Sequence, residues 1–284
     1  MTGKTDDNPY LTSEAIERVM QNYSLDERET RRSGIPRAYS GLVYKEFEWH
    51  IHVRENPPRG WTDWLSPPND YCIRFAIDYH PRKPHHVLFI ATSPDGYHFA
   101  FAEIFASELM VDLVADIRLV LGLKEPAVPG LIDPLSNTPN TVTELTPRLE
   151  ILRLGLPVVP ATKDPHNGIL KVKELLRARD QAGHPIFQVN PALRRFLFEI
   201  SRGYVWDGET NKPKKQDDDA MENFYRLSLQ GLDYIEPERV AVYRPKLREA
   251  PMDELGSLDD FSDALDEVRP KKRRVFDRLT RYPA

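Results

Sequence analysis

The stretch from Tyr71 to Phe105 constrains the fold more than any other part of the chain. Tyr71 to Tyr79 is an apolar run rich in Ile, Phe and Ala that closes on Asp78. His86 to Ser93 is a second apolar run, Pro94-Asp95-Gly96 carries a turn signal, and Tyr97 to Phe105 alternates in character. Three such runs in succession predict an antiparallel meander. A meander exposes two faces and two edges, so the rest of the chain has to cover them.

The residues that follow supply helices for that purpose. Met110, Leu113, Val114, Ile117, Val120 and Leu121 recur at helical spacing. Leu131-Ile132-Asp133 reads as a short strand end, Leu145 to Leu154 as a helix stopped by Gly155, and Leu156 to Val159 as a further strand. Ile169, Val172, Leu175 and Leu176 line one helical face. Asn190-Pro191 reads as an N-cap followed by proline at the first helical position, ahead of the stripe Leu193, Phe196, Leu197 and Ile200. Tyr204-Val205-Trp206 is a short strand leading into a turn at Asp207-Gly208. The last core helix opens on Asp217-Asp218-Asp219 and carries Met221, Phe224, Tyr225 and Leu229. The order predicts an α/β architecture, a mixed sheet with helices on its faces.

Residues 1–67 read as an N-terminal arm. It holds a helix from Glu14 to about Gln21 capped by Thr12 or Ser13, a charged turn over Leu25 to Arg32, and short strands at Gly41 to Phe47 and at His50-Ile51-His52-Val53. Trp61, Trp64 and Pro67-Pro68 form a stiff connection. Residues 68–235 form the domain. Residues 236–284 lose periodicity, pass through an acidic stretch from Asp253 to Glu267 and then Lys271-Lys272-Arg273-Arg274, and read as a mostly disordered tail. The 284 residues are 40% hydrophobic and 29% charged, enough apolar material for a real core. The net charge of −5 gives no overall field favouring nucleic acid, so any such contact has to be local. A single cysteine, Cys72, excludes a disulfide framework or cysteine metal site, suits a reducing cytoplasm, and reads as a buried, inert thiol. Met1 to Asp7 lacks the apolar stretch of a signal peptide, and no run approaches the ~18 apolar residues of a membrane span.

The chemistry is sought in carboxylates. Asp78 ends the first meander strand and Asp133 the fourth; in a ribonuclease-H-like sheet these strands are neighbours, and Asp218 opens a helix beside the same edge. Three clustered acids raise one another's pKa, and divalent cations relieve that repulsion. Two ions roughly 3.5–4 Å apart suit an in-line phosphodiester displacement. Each residue also has an ordinary reading. Asp78 before Tyr79-His80-Pro81 ends a strand, Asp133 before Pro134 starts a turn, and Asp217 to Asp219 cap a helix.

A family resemblance adds to this. Tyr204-Val205-Trp206-Asp207-Gly208-Glu209-Thr210-Asn211-Lys212-Pro213-Lys214, followed by Asp218-Asp219-Ala220-Met221-Glu222, resembles the hairpin and acidic helix of the nuclease domain of phage terminase large subunits. Phe75-Ala76-Ile77-Asp78, Ser93-Pro94-Asp95-Gly96 with Glu103, and Gly168-Ile169 to Leu176 are similar to its meander and to a later helix. Asp7-Asn8-Pro9-Tyr10-Leu11, and Gly41-Leu42-Val43-Tyr44 with Phe47, resemble the end of the terminase ATPase region and the link into the nuclease. The resemblance covers roughly residues 7–234.

It implies a ribonuclease-H-like fold and a metal-dependent endonuclease that cuts concatemeric viral DNA during packaging. Two Mg²⁺ or Mn²⁺ ions would be held by Asp78, Asp133 and Asp218, with Asp219 and Glu222 each read either as an accessory ligand or as a solvated helix residue. It implies double-stranded DNA, the terminase ATPase domain, the small terminase subunit and the portal as partners, in the cytoplasm of an infected bacterial host. The sequence has no full P-loop; Gly3-Lys4-Thr5 matches only its last letters, so a nuclease domain alone, without ATP hydrolysis, is expected.

Lys212, Lys214 and Lys215 adjoin Asp218 and are the leading candidates for phosphate contact, with Arg194 and Arg195 on a neighbouring helix. Lys171, Lys173, Arg177 and Arg179 read as a solvated helix surface, His85 and His86 as surface strand residues. Lys271 to Arg274 reads as a DNA or portal contact or as a solvated charge run. Two alternatives remain: another two-metal nuclease on this fold, of resolvase or transposase type, and a non-catalytic docking module.

Overall fold

A computed structural model of the protein describes residues 41–237 apart from 82, 123–125, 138–145 and 211. The expected helix at Glu14 to Gln21, the charged turn at Leu25 to Arg32, the Gly3-Lys4-Thr5 stretch and the basic run Lys271 to Arg274 lie outside the described residues.

The meander is present as β2 (Cys72–Asp78), β3 (His85–Thr92) and β4 (His98–Ala106), after a two-residue strand β1 (Gly41–Leu42) and a short helix α1 (Trp49–His52). Then come α2 (Met110–Val120), β5 (Gly130–Ile132), a 3₁₀ turn at Pro134–Asn137, α3 (Pro147–Arg153), β6 (Val158–Pro160) and α4 (Pro165–Arg177). The chain continues through β7 (Phe187–Val189), α5 (Arg194–Phe198) with a π-helical turn at Glu199–Gly203, β8 (Val205–Trp206) and α6 (Asp219–Gln230). Six strands form one mixed sheet in the order β6-β5-β2-β3-β4-β7. The β2–β3 and β3–β4 pairs are antiparallel, whereas β5 joins β2, β6 joins β5, and β7 joins β4 in parallel.

The sheet is covered on both faces, which is why its central strands are apolar at nearly every position rather than alternating. Phe75, Ile77, Val87, Phe89 and Phe101 face one side, where Met110, Leu113, Val114 and Ile117 of α2 and Ile151 of α3 close the core. Ala76, Leu88, Ile90 and Leu131 face the other, against Ile169, Val172 and Leu176 of α4 and Met221, Phe224 and Tyr225 of α6. Residues before the meander join both layers: Val43 and Tyr44 pack on the α6 side, Trp61 and Trp64 on the α2 side. Both edges of the sheet are shielded. Val53 forms a parallel bridge to Val189 on β7, and β6 is three residues long with Pro157 before it and Pro160 at its end.

Four expectations need correction. His50 to Val53 was expected as strand, but Trp49–His52 is a helical turn; His52 is buried, its Nε2 2.9 Å from the Leu176 carbonyl, which fixes that turn against α4. His85 and His86 are buried rather than at the surface, because both faces of β3 are covered. Lys173 is buried over the Trp206 ring at 5.9 Å rather than solvated, whereas Lys171 is exposed and pairs with Glu174. The helix expected from Asn190-Pro191 begins at Arg194. Asn190 accepts from Ala192 N and donates to the Phe101 carbonyl, so its side chain holds a turn and the β4 bulge instead of capping a helix. Glu103 of β4 takes over the cap, accepting from Arg195 N and Phe196 N at 2.9 Å each.

Candidate functional site

Strand parity builds the site. Side chains alternate across a sheet, so Asp78 points to the same face as Ala76. On the neighbouring parallel strand, Ala76 pairs with Leu131 and Ile77 with Ile132, which brings Asp133 level with Asp78. The Asp133 N–H extends the ladder by donating to the Ile77 carbonyl at 3.2 Å. Leu131 and Ala76 belong to the core layer under α6, so both carboxylates emerge at the strand ends on the α6 side.

Helix α6 brings the rest. Its N-terminus is held by a buried carboxylate: Glu199 Oε2 accepts from Ala220 N at 2.8 Å and Met221 N at 3.1 Å. This anchors a helix whose own N-cap, Asp218, makes no side-chain cap bond. Ala220, Met221, Phe224 and Tyr225 bury one stripe, and Asp219, Glu222 and Arg226 project toward the strand ends.

Among the described residues, two groups of ligand-bearing side chains gather with their ligand atoms within 4.8 Å of one another: Asp78, Asp133 and Glu222, and Asp78, His80 and Asp219. Asp78 belongs to both. Asp218 belongs to neither; its Oδ2 stands 3.5 Å from Lys215 Nζ at the rim. The structure therefore brings Asp78 and Asp133 together with Glu222, and places Asp219 against His80, with Asp218 one step outside.

Cations tie the carboxylates. Arg226 Nη1 donates to Asp78 Oδ1 at 3.0 Å, while its Nη2 bonds Asp133 Oδ2 and Glu222 Oε2. His80 Nε2 lies 2.9 Å from Asp78 Oδ2 and 3.1 Å from Asp219 Oδ1. Lys215 Nζ reaches Glu222 Oε1 at 2.5 Å. Arg195 pairs with Asp217 at 3.0 Å and Asp219 at 3.5 Å, and lies 4.9 Å from the Phe105 ring centroid. Lys212 and Lys214, on the segment that precedes Asp218, and Arg194, next to Arg195 in the chain, are exposed.

The titration behaviour follows from these contacts. Burial pushes the Asp78 carboxyl upward, but the hydrogen bond to His80 and the Arg226 charge outweigh it and hold the pKa at about 2. Hydrogen bonds to Asp219 and Asp78 raise His80 to about 10 against the effect of burial. Burial, reinforced by Glu222, raises Asp218. Burial lowers Arg226, but the charges of Asp78, Glu222 and Asp133 more than reverse this and keep it ionised. Burial pushes Glu199 up to about 7.

Arg226, His80 and Glu199 are not evident as site residues in the sequence reading. For Arg226 a signal exists, since it follows Glu222 by four residues on one helix face. His80 sits two residues beyond Asp78, past the strand end, where no periodicity marks it. The Glu199 cap joins residues 21 and 22 positions apart, which only the fold reveals.

A buried polar chain continues behind the site. Asn223 donates to the His86 carbonyl at 2.9 Å and lies 3.0 Å from His86 Nδ1, and His86 Nε2 is 3.3 Å from Glu103 Oε2. Through Glu103 it ends on the N-terminus of α5.

No protein-family model and no curated protein sequence matches the chain. Solved structures do. The large terminase of the thermophilic bacteriophage D6E in complex with ADP matches with a TM-score of 0.59 at 19% identity, over 81% of this chain and 54% of that one. Another crystal form-3 structure of the same terminase gives 0.58 at 19% identity, over 81% and 55%. The chain thus spans about half the length of that protein. The P22 large terminase nuclease domain matches with a TM-score of 0.50 at 15% identity, over 66% of this chain and 91% of that domain. The six-stranded mixed sheet with its flanking helices has the ribonuclease-H-like fold of the nuclease domain of phage large terminases.

Proposed function

We propose that the chain is a metal-dependent DNA endonuclease that cuts concatemeric viral DNA during genome packaging. The observation that carries this is the convergence of Asp78 and Asp133, level on adjacent parallel strands, with Glu222 of α6 on one face of the sheet.

The donor set fits Mg²⁺ or Mn²⁺. It consists of carboxylate oxygens with one imidazole at its margin and no thiol, the chemistry of hard divalent cations. Asp78, Asp133 and Glu222 would hold the ions, with Asp219 and Asp218 at the rim. Bound there, the ions would supply Lewis-acid stabilisation of a phosphate and an activated water. The protein's own groups do the remaining work. Main-chain pairing at Asp133 and the Glu199 cap on α6 fix the carboxylates on rigid elements. His80 orients Asp78 and Asp219 toward each other. Lys215 and Arg195 pair with the acids, and exposed Lys212, Lys214 and Arg194 are close to them in the chain, a set of cations that would favour backbone contact over base reading.

Double-stranded DNA is the proposed substrate. An ATPase domain, a small terminase subunit and a portal are the proposed partners, in the cytoplasm of an infected bacterium. Among the described residues no helix is long and apolar enough to cross a membrane.

The test is cleavage of supercoiled plasmid with Mg²⁺, Mn²⁺ or EDTA, beside Asp78→Asn and Asp133→Asn. Nicking or linearisation that needs metal and is lost in both variants is expected. Cutting that survives in Asp78→Asn, or none by the wild type under either metal, would overturn the proposal. Running Asp218→Asn beside Glu222→Gln then decides which acid completes the set, and the geometry favours Glu222.

A further inference from the structure

The guanidinium of Arg226 stands between the same three carboxylates to which the proposed function assigns a metal. It is 2% exposed, donates to Asp78 at 3.0 Å, and bonds Asp133 and Glu222 through its other terminal nitrogen. Asp78 and Asp133 are fixed by the sheet, and Glu222 lies one turn before Arg226 on α6. The arginine therefore meets all three whenever α6 is docked.

A divalent ion held by these oxygens and a guanidinium bonded to them need the same lone pairs, and two positive charges at that separation repel. Other contacts for the guanidinium are at hand. Nη1 already lies 3.3 Å from Asn223 Oδ1, and the group lies 5.9 Å from the Tyr225 ring centroid. Lys215 repeats the arrangement from outside, pairing with Glu222 from an exposed side chain.

We infer that Arg226 is an internal counter-cation that keeps the acidic cluster assembled without metal and competes with divalent ions for it, thereby setting their affinity. This rests on the metal-dependent reading given above. Arg226 is thus a positioning residue: it acts through Asp78, Asp133 and Glu222 rather than on DNA.

The experiment is calorimetric titration of the full chain with Mn²⁺, paired with melting curves with and without Mn²⁺. Wild type, Arg226→Gln, Arg226→Lys and Asp78→Asn are compared. Arg226→Gln is expected to bind Mn²⁺ about tenfold or more tightly than wild type, because a competing charge is gone. It is also expected to melt lower without metal and to gain more on Mn²⁺ addition. Arg226→Lys should fall between, since it keeps the charge but lacks the fork that spans several oxygens. Asp78→Asn should lose the binding, which locates it at the cluster.

A folded Arg226→Gln that binds Mn²⁺ no more tightly than wild type overturns the inference. If Arg226→Gln does not fold in EDTA, it is refolded with Mn²⁺: recovery supports exchange of one cation for the other, and failure to recover overturns it. Absence of Mn²⁺ binding in both wild type and Arg226→Gln overturns the metal-dependent reading, and this inference with it.

Discussion

Gly130 begins the strand that carries Asp133, and an added methyl there would test how tightly β5 and β2 are locked. A Cβ at Gly130 would lie 2.1 Å from Phe75 Cε2 and 2.2 Å from Cζ, so the ring has to retreat by about 1.3 Å to reach ordinary contact. Phe75 has little room, being 1% exposed and 5.9 Å between centroids from the Phe89 ring, with which it stacks. Overpacking of this kind costs about 1–3 kcal/mol, and disturbing the aromatic pair about 0.5–1.5 kcal/mol. The stiffer unfolded chain returns about 0.4–1 kcal/mol.

Gly130→Ala should therefore lose about 2–3 kcal/mol by urea denaturation, and its melting temperature should fall by roughly 5–10 °C for a domain of this size. Phe75→Leu removes the ring atoms that the methyl meets. The double variant should then be less destabilised than the sum of the single changes, with a coupling of about 1 kcal/mol or more. A Gly130→Ala protein as stable as wild type, or strictly additive single changes, would refute the account of this contact and of the rigidity it lends to Asp133.

Gly168 plays the same part between helices. A Cβ there would meet Tyr225 Cδ2 at 2.5 Å, so Gly168→Ala should destabilise by about 1–2 kcal/mol in urea melts although alanine favours a helix. By displacing α6 it should also reduce the proposed metal-dependent plasmid cutting. For Glu199, a folded pKa of about 7 exceeds the usual carboxyl value, so folded protein binds the proton more tightly than unfolded chain. That contribution is full below the unfolded value and is lost as pH rises through about 7. Urea midpoints across that window should fall with pH in wild type and fall less in Glu199→Gln; equal slopes would contradict the assignment.

Much of the sheet was legible because burial writes itself into strands as apolar runs. The three strands of the meander, β5 and the end of β5 at Asp133 all carry that signal, as do the stripes of α2, α4 and α6. Asp78 and Asp133 were accessible because a strand that closes on an aspartate is a local event. What was hidden depended on tertiary partners. Asn190-Pro191 has the local chemistry of a helix start, yet Asn190 is drawn to the Phe101 carbonyl and Glu103 supplies the cap from another strand. His86 carries polar nitrogens that suggest a surface, and only its fit between Asn223 and Glu103 explains its burial. β7 is three residues long and has no pattern of its own. On α6 the acids are legible as a run, but which of them gathers with Asp78 and Asp133 is not. Helical rotation sends Asp218 to the rim and Glu222 inward, and a run of consecutive aspartates does not reveal which one faces the strands.

The two shielded edges of the sheet bear on how the protein behaves at high concentration. Strand addition by a second molecule needs a row of free donors and acceptors. The short β6 offers few, because proline supplies no N–H at Pro157 or Pro160, and at β7 Val53 and the Arg54 N–H already occupy Val189. The native sheet is thus poorly suited to act as a template for edge-to-edge fibres, even though its central strands, once unfolded, are apolar enough to form them.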